Sequence, residues 1–164
     1  MTFDNKRRHL FISHHHKDDH EVTNFTKLIA GQGYDIRNSS VRMKPSNQQR
    51  MDEGRVSDTV IERILRMKIS WASTVVVLIG KDTHTRKWVN WEIDKANEKG
   101  KRIVGVFLRG GTEADIPKSF EDYGSALVNW SSESIIRAID GENNFKRPDG
   151  TDRPRSGSST SFDC

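Results

Sequence analysis

The chain has 164 residues, 27 Lys and Arg against 23 Asp and Glu, a formal net charge of +4 and one cysteine, Cys164. That length fits about one domain, and no run approaches the roughly 18 apolar residues needed to cross a bilayer, which excludes a membrane span. Met1 to His9 is polar and opens no signal peptide, so the chain reads as cytoplasmic; one cysteine excludes a disulfide framework, and charges interleaved in sign argue against nucleic acid as a partner.

In chain order, His9-Leu-Phe-Ile-Ser13 is a short apolar run that stops in His14-His-His-Lys-Asp-Asp, as a buried first strand opening into a polar loop does. Asp18 and Glu21 have capping-box spacing, and Val22, Phe25, Leu28 and Ile29 recur at helical intervals until Gly31. Tyr34-Asp-Ile-Arg37 is a weak second strand, and Asn38 to Gly54 is a polar segment without a period, read as a loop. Val56, Val60, Ile61, Ile64, Leu65 and Ile69 mark one face of a second helix. Ser73 to Gly80 is a β-branched strand, and the helix after it carries Val89, Ile93 and Ala96 before Gly100 closes it.

Ile103-Val-Gly-Val-Phe-Leu108 and Ala126-Leu-Val-Asn129 are two further strands, and a last helix through Ile135, Ile136 and Ile139 is capped by Ser131 or Ser132 and closed by Gly141. Strands alternating with helices predict an α/β, flavodoxin-like three-layer sandwich around a five-stranded parallel sheet of order 2-1-3-4-5, with Val75 to Ile79 central. The predicted domain covers residues 1–141, and residues 142–164 read as a polar C-terminal tail in which Phe145 and Phe162 are the available anchors.

In such a sheet, ligands bind beyond the carboxyl ends of the strands where the strand order reverses, here between the first and third strands. Ser13 and the histidines leave one of them, and Lys81-Asp-Thr-His-Thr85 leaves the other. Glu92 shares a helix face with Val89 and Ala96, which turns a carboxylate inward. A solvated Glu92 paired with Lys95 is the plainer alternative. Trp88 and Trp91 are packing residues unless a ligand meets them. His14, His15, His16 and His20 sit too close in sequence to converge on one ion, and no metal is expected. Gly31-Gln-Gly33 and Gly110-Gly111 read as turns, and Lys101, Arg102 and Arg109, which bracket the fourth strand, as solvated cations.

Phe11-Ile-Ser13, the alternating pattern, and Trp88-Val-Asn-Trp-Glu92-Ile followed by Ala96, Gly100-Lys and an apolar strand resemble a TIR domain. Within that family the chain is most similar to the bacterial TIR-like proteins of Thoeris anti-phage defence systems. The resemblance implies a catalytic Glu92 that cleaves the nicotinamide N-glycosidic bond of NAD, with Ser13, His14, Thr85 and Trp88 as substrate-binding residues. NAD would be a substrate, with no resident cofactor. It implies as product a cyclic ADP-ribose isomer or related signal. The expected partners are a nucleotide-activated effector and either a second copy of the chain or a phage-derived activator. Three histidines follow Phe-Ile-Ser where many TIR domains have an aromatic, and Thr85 stands for the serine often found upstream of the Trp.

The chemistry is consistent with one carboxylate. Glycosidases pair two because the departing oxygen needs a proton, whereas nicotinamide leaves a pyridinium as a neutral molecule. A non-catalytic TIR or flavodoxin-like module acting by protein docking is the competing function. A phosphate receiver of the same fold is disfavoured, because Gly80-Lys81-Asp82 puts no Asp at the tip of the third strand.

Overall fold

The structure, a computed structural model, describes residues 8–38 and 58–154. Its strands are β1 (Arg8–Ser13), β2 (Tyr34–Asn38), β3 (Thr74–Ile79), β4 (Arg102–Phe107) and β5 (Ala126–Val128). They form one parallel sheet in the order β2-β1-β3-β4-β5, as the alternation of patterns predicts. The helices are α1 (Asp19–Leu28), α2 (Asp58–Trp71), α3 (Lys87–Glu98), α4 (Lys118–Tyr123) and α5 (Ser132–Ile139). Val56 and the polar segment before it lie outside the described residues.

Every residue of β3 is buried, which is what a central strand covered on both faces requires. Its alternation divides the core in two. Val75, Val77 and Ile79 join Phe11, Leu65, Val89, Ile93 and Phe107 under α2 and α3, while Val76 and Leu78 join Leu10, Ile12, Phe25 and Ile135 under α1 and α5. At the end of α3 the Gly100 backbone is left-handed, φ 69°, and the Lys101 amide returns to the Ala96 carbonyl at 2.9 Å, so the glycine closes the helix as expected.

Three local features depart from the sequence reading. Helix α4 follows Pro117 and buries only Phe120, too few apolar residues to show a period. Asp18 makes no side-chain capping bond to α1, and Glu21 accepts from Asn24 at 2.8 Å and does not reach back to the cap. Arg102 is not a solvated cation: its guanidinium donates to the carbonyls of Ala138 and Glu142, at 2.8 and 2.6 Å, and to Asn143 Oδ1 at 2.8 Å. The Ala138 carbonyl lies in the last turn of α5 and the Glu142 carbonyl just beyond the helix, where an arginine at the start of β4 can supply donors.

Residues 142–154, where composition suggests a tail, lie along β5. Leu127 donates to the Asn144 carbonyl at 2.9 Å and receives the Lys146 amide at 2.8 Å, while Phe145 packs against the core. The chain then turns, Arg153 donating its amide to the Phe145 carbonyl at 2.8 Å and placing its guanidinium 2.7 Å from Glu113 and 3.1 Å from Glu121. The pairing covers the open edge of β5 with backbone donors and acceptors.

Candidate functional site

β1 ends at Ser13, level with Val77 of β3. The alternation that sends Phe11 toward α3 sends Ser13 the same way, and its hydroxyl donates to Glu92 Oε1 at 2.5 Å. Both side chains are fully buried. On α3, Glu92 lies between Val89 and Ala96 on the face that packs on the sheet. The plainer alternative fails here, because Lys95 pairs with Glu98 at 3.1 Å and Glu92 is removed from solvent. This short hydrogen bond fixes the orientation of the carboxyl group.

Trp88, one turn before Glu92, is half-buried against the same core and meets the edge of Trp91 at 5.5 Å between ring centroids. Asn90 ties this end of α3 down: its amide donates to the Arg86 carbonyl at 3.0 Å, and its side-chain oxygen accepts the Ser119 amide of α4 at 3.2 Å.

The loop after β3 is held by short-range bonds. Thr83, fully buried, accepts the Gly80 amide at 2.9 Å, and Asp82 adopts φ 68° while its amide donates to Asp115 at 3.0 Å. Burial alone would raise the Asp115 pKa. The amides of Thr112 and Asp82, the Thr112 hydroxyl and nearby His84 outweigh it and hold the carboxyl below its ordinary range. Thr85 is exposed, and its hydroxyl donates to the Asp82 carbonyl at 2.7 Å. Thr83 is thus the threonine that the fold buries at this end of β3. The sequence signal for it is slight: a hydroxyl three residues beyond the strand-ending Gly80, the spacing of a side-chain turn.

The histidines after β1 separate at once. His14 is fully buried, with Nε2 3.0 Å from Asp19 Oδ1; His15 is buried; His16 and His20 are exposed. His15 Nδ1 accepts the Lys17 amide at 3.2 Å, and Nε2 lies 3.3 Å from the Arg86 guanidinium. Burial first, then the positive charges of Arg86, His16 and Lys17, push its pKa down to about 4, so the ring is neutral at pH 7. Among the described residues no three His, Cys, Asp or Glu side chains are gathered to hold a metal ion.

Asp18 is the residue that sequence reasoning misassigned. Its carboxyl turns toward the end of β3, so that a Cβ on Gly80 would stand 2.9 Å from Oδ2, and Oδ2 is buried without a hydrogen-bond partner. Burial raises its pKa above the ordinary carboxylate value. The end of β3 therefore has buried carboxyl groups on both of its sides, Glu92 by way of Ser13 and Asp18 by way of Gly80. Among the described residues no helix is long and apolar enough to cross a membrane.

A Bacillus cereus (strain MSX-D12) protein named "Putative cyclic ADP-D-ribose synthase ThsB1" is 37% identical over 57 residues, 35% of this chain and 30% of that protein. The aligned stretch thus spans less than a third of the relative's length. The model of the family described as Thoeris protein ThsB, TIR-like domain, matches residues 11–113. That span, more than half of the chain, runs from the middle of β1 past the end of β4 and takes in Ser13, the buried threonine loop and the whole Glu92 helix. By that match, the chain belongs to the Thoeris ThsB family of TIR-like domains.

Proposed function

We propose that this protein cleaves the bond between nicotinamide and ribose in NAD and converts the ADP-ribosyl part into a cyclic ADP-ribose isomer or a related nucleotide signal. The observation that carries this reading is the Glu92 carboxylate, buried beyond the carboxyl end of β1 and oriented by Ser13. The relative's name, a cyclic ADP-D-ribose synthase, supports the same reaction class. The family supports a role in Thoeris defence, with an effector protein reading the signal.

In this mechanism the glycosidic bond breaks with its electron pair moving onto the pyridinium nitrogen, so nicotinamide leaves neutral and needs no acid. Positive charge develops at the anomeric carbon, and a carboxylate facing it stabilises the transition state more than the ground state. A ribose hydroxyl of the same molecule, releasing its proton to solvent, or an adenine ring nitrogen, with the 6-amino group able to release the proton, then attacks that carbon and closes the ring; water in their place gives ADP-ribose. Ser13 is a positioning residue that holds the Glu92 carboxyl. His14, Thr85 and Trp88 are assigned to the nucleotide, the imidazole toward a ribose or phosphate oxygen and the indole lining the pocket. Since Glu92 is fully covered, NAD has to open a path to it.

Complete burial is also what a purely structural Ser13–Glu92 pair would show, and this favours a second reading, a non-catalytic TIR module that acts by docking. Glu92→Gln decides between them. Gln keeps the size and an acceptor for Ser13, so stability changes by about 1 kcal/mol or less. Turnover of NAD, followed by mass spectrometry of the products, falls about 100-fold to 1000-fold. A folded Glu92→Gln protein with undiminished turnover removes Glu92 from the reaction. No turnover by the native protein, with its activator present, leaves the docking module.

A further inference from the structure

The sheet separates Glu92 from a cavity on its other face. Glu21, Asn24, Lys27 and Leu28 share one face of α1, and together with Arg109, beyond β4, and Trp130, beyond β5, they line a cavity of about 470 Å³. α1 packs on the β-sheet face opposite α3, so this cavity lies on the other side of the sheet from Glu92.

Its lining has the groups that a nucleotide needs. Many cations of this protein are committed, as in Arg137 with Glu133 or Arg153 with Glu113 and Glu121. The side chains of Lys27 and Arg109, by contrast, have no ion pair or hydrogen bond among the described residues. Between them they offer a charge-assisted site for phosphate. Trp130 is half-buried against the core, with Phe25 tilted against it at 6.3 Å between ring centroids, so its indole is a held surface on which a planar base can stack. Asn24 donates to Glu21 Oε1 at 2.8 Å and so fixes a carboxylate. Glu21 and Lys27 are six residues apart on the helix, about 9 Å along its axis at ~1.5 Å per residue. That spacing sets an acceptor for ribose hydroxyls away from the cations that would take the 5′-phosphate, and keeps like charges apart.

We propose that this cavity binds a nucleoside phosphate, with the base on Trp130, the ribose hydroxyls at Glu21 and the phosphate between Lys27 and Arg109. The lining includes neither Glu92 nor Ser13, and binding here is independent of NAD cleavage. A cavity of this size lies within the roughly 300–1,000 Å³ of small-molecule sites.

Calorimetric titration of the full chain with adenosine 5′-monophosphate tests it, with adenosine, ribose 5-phosphate and inorganic phosphate as separate titrants. The monophosphate binds saturably at one site and more tightly than any of the three fragments. Lys27→Ala with Arg109→Ala weakens it at least about tenfold, since charge-assisted bonds to phosphate are among the strong ones. Trp130→Leu weakens it as well, while Trp130→Phe, which keeps a ring in the core and guards against misfolding, retains most of the affinity. Glu92→Gln leaves it unchanged, which separates this site from the one on the other side of the sheet. Absence of saturable binding overturns the proposal, as does affinity that survives loss of both cations. Ribose 5-phosphate binding as tightly as the nucleotide, or weakening by Glu92→Gln equal to that by the cation variants, overturns it too.

Discussion

Ser13→Ala removes one oxygen and leaves the Cβ in place, so its effect reads the hydrogen bond with little change in packing. In the native protein the hydroxyl meets the Glu92 carboxyl at 2.5 Å, with both groups fully buried. For an ionised Glu92, as the proposed reaction requires, this is a hydrogen bond to a charged group, which contributes about 1.5–3 kcal/mol, and its loss leaves the buried carboxylate one donor short. We expect about 2 kcal/mol, which in a chain of this size lowers the melting temperature by about 6 °C. In the Glu92→Gln background the same bond joins neutral partners, and Ser13→Ala should cost only about 1 kcal/mol. The difference between backgrounds, about 1 kcal/mol of coupling, is what contact between the two side chains requires. Urea titrations of the four proteins at pH 7 measure it, with the slopes checked for equality so that only stability is compared. A Ser13→Ala cost below about 0.5 kcal/mol, or one identical in both backgrounds, would refute the argument.

Other sites give sharper signs than sizes. Asp18, raised above its unfolded value by burial and with Oδ2 unpartnered, favours the folded state only while protonated, so its contribution is lost as pH rises through the folded value. Asp18→Ala should therefore stabilise the protein at pH 7 by about 1 kcal/mol, with the gain shrinking toward pH 4; a gain that grows on acidification contradicts this. His15 has the opposite sign: lowered to about 4 in the fold, it leaves the unfolded chain binding the extra proton between about 6.5 and 4, so stability falls as pH drops through that window. Replacing His15 with Gln should flatten the stability profile there, and an unchanged slope would remove His15 from the account. Arg153→Ala breaks contacts to Glu113 and Glu121, both partly exposed, and should cost about 1 kcal/mol, or about 3 °C; a shift under 1 °C by calorimetry would mean that the segment over β5 contributes little.

The parts of this molecule that follow from periodicity were readable in the sequence, and the parts that depend on chain crossings were not. Val75 to Ile79 is apolar at every position, so its central place follows from the pattern alone. Glu92 was placed inward by Val89 and Ala96 one turn to either side. Its partner was harder to see, since Ser13 is 79 residues away in sequence and reaches Glu92 through the packing of α3 on the sheet. Asp18 has the spacing of a capping box with Glu21, yet burial beside Gly80 overrides it. The docking of residues 142–154 leaves almost no trace in composition, because backbone groups make the pairing and Phe145 alone supplies the apolar anchor.

Two periodicities have to agree for the Ser13–Glu92 contact to exist. Along β1, side chains alternate, so Leu10 and Ile12 pack beneath α1 while Phe11 and Ser13 face α3. A slip of one residue in the pairing of β1 with β3 would turn Ser13 to the α1 face and bring His14 or Ile12 under the helix. Along α3, a shift of two residues would put Asp94, half-exposed, where Glu92 is buried. The parallel register of β1 beside β3 is specified mainly by apolar residues that have no chemistry of their own, Phe11 and Ile12 against Val75 and Val76. The phase of α3 is set likewise by Val89, Ile93 and Ala96. The carboxyl group is therefore held in place by core packing at a distance from it, and a core substitution that loosens either register should displace Glu92 from Ser13 without touching either residue.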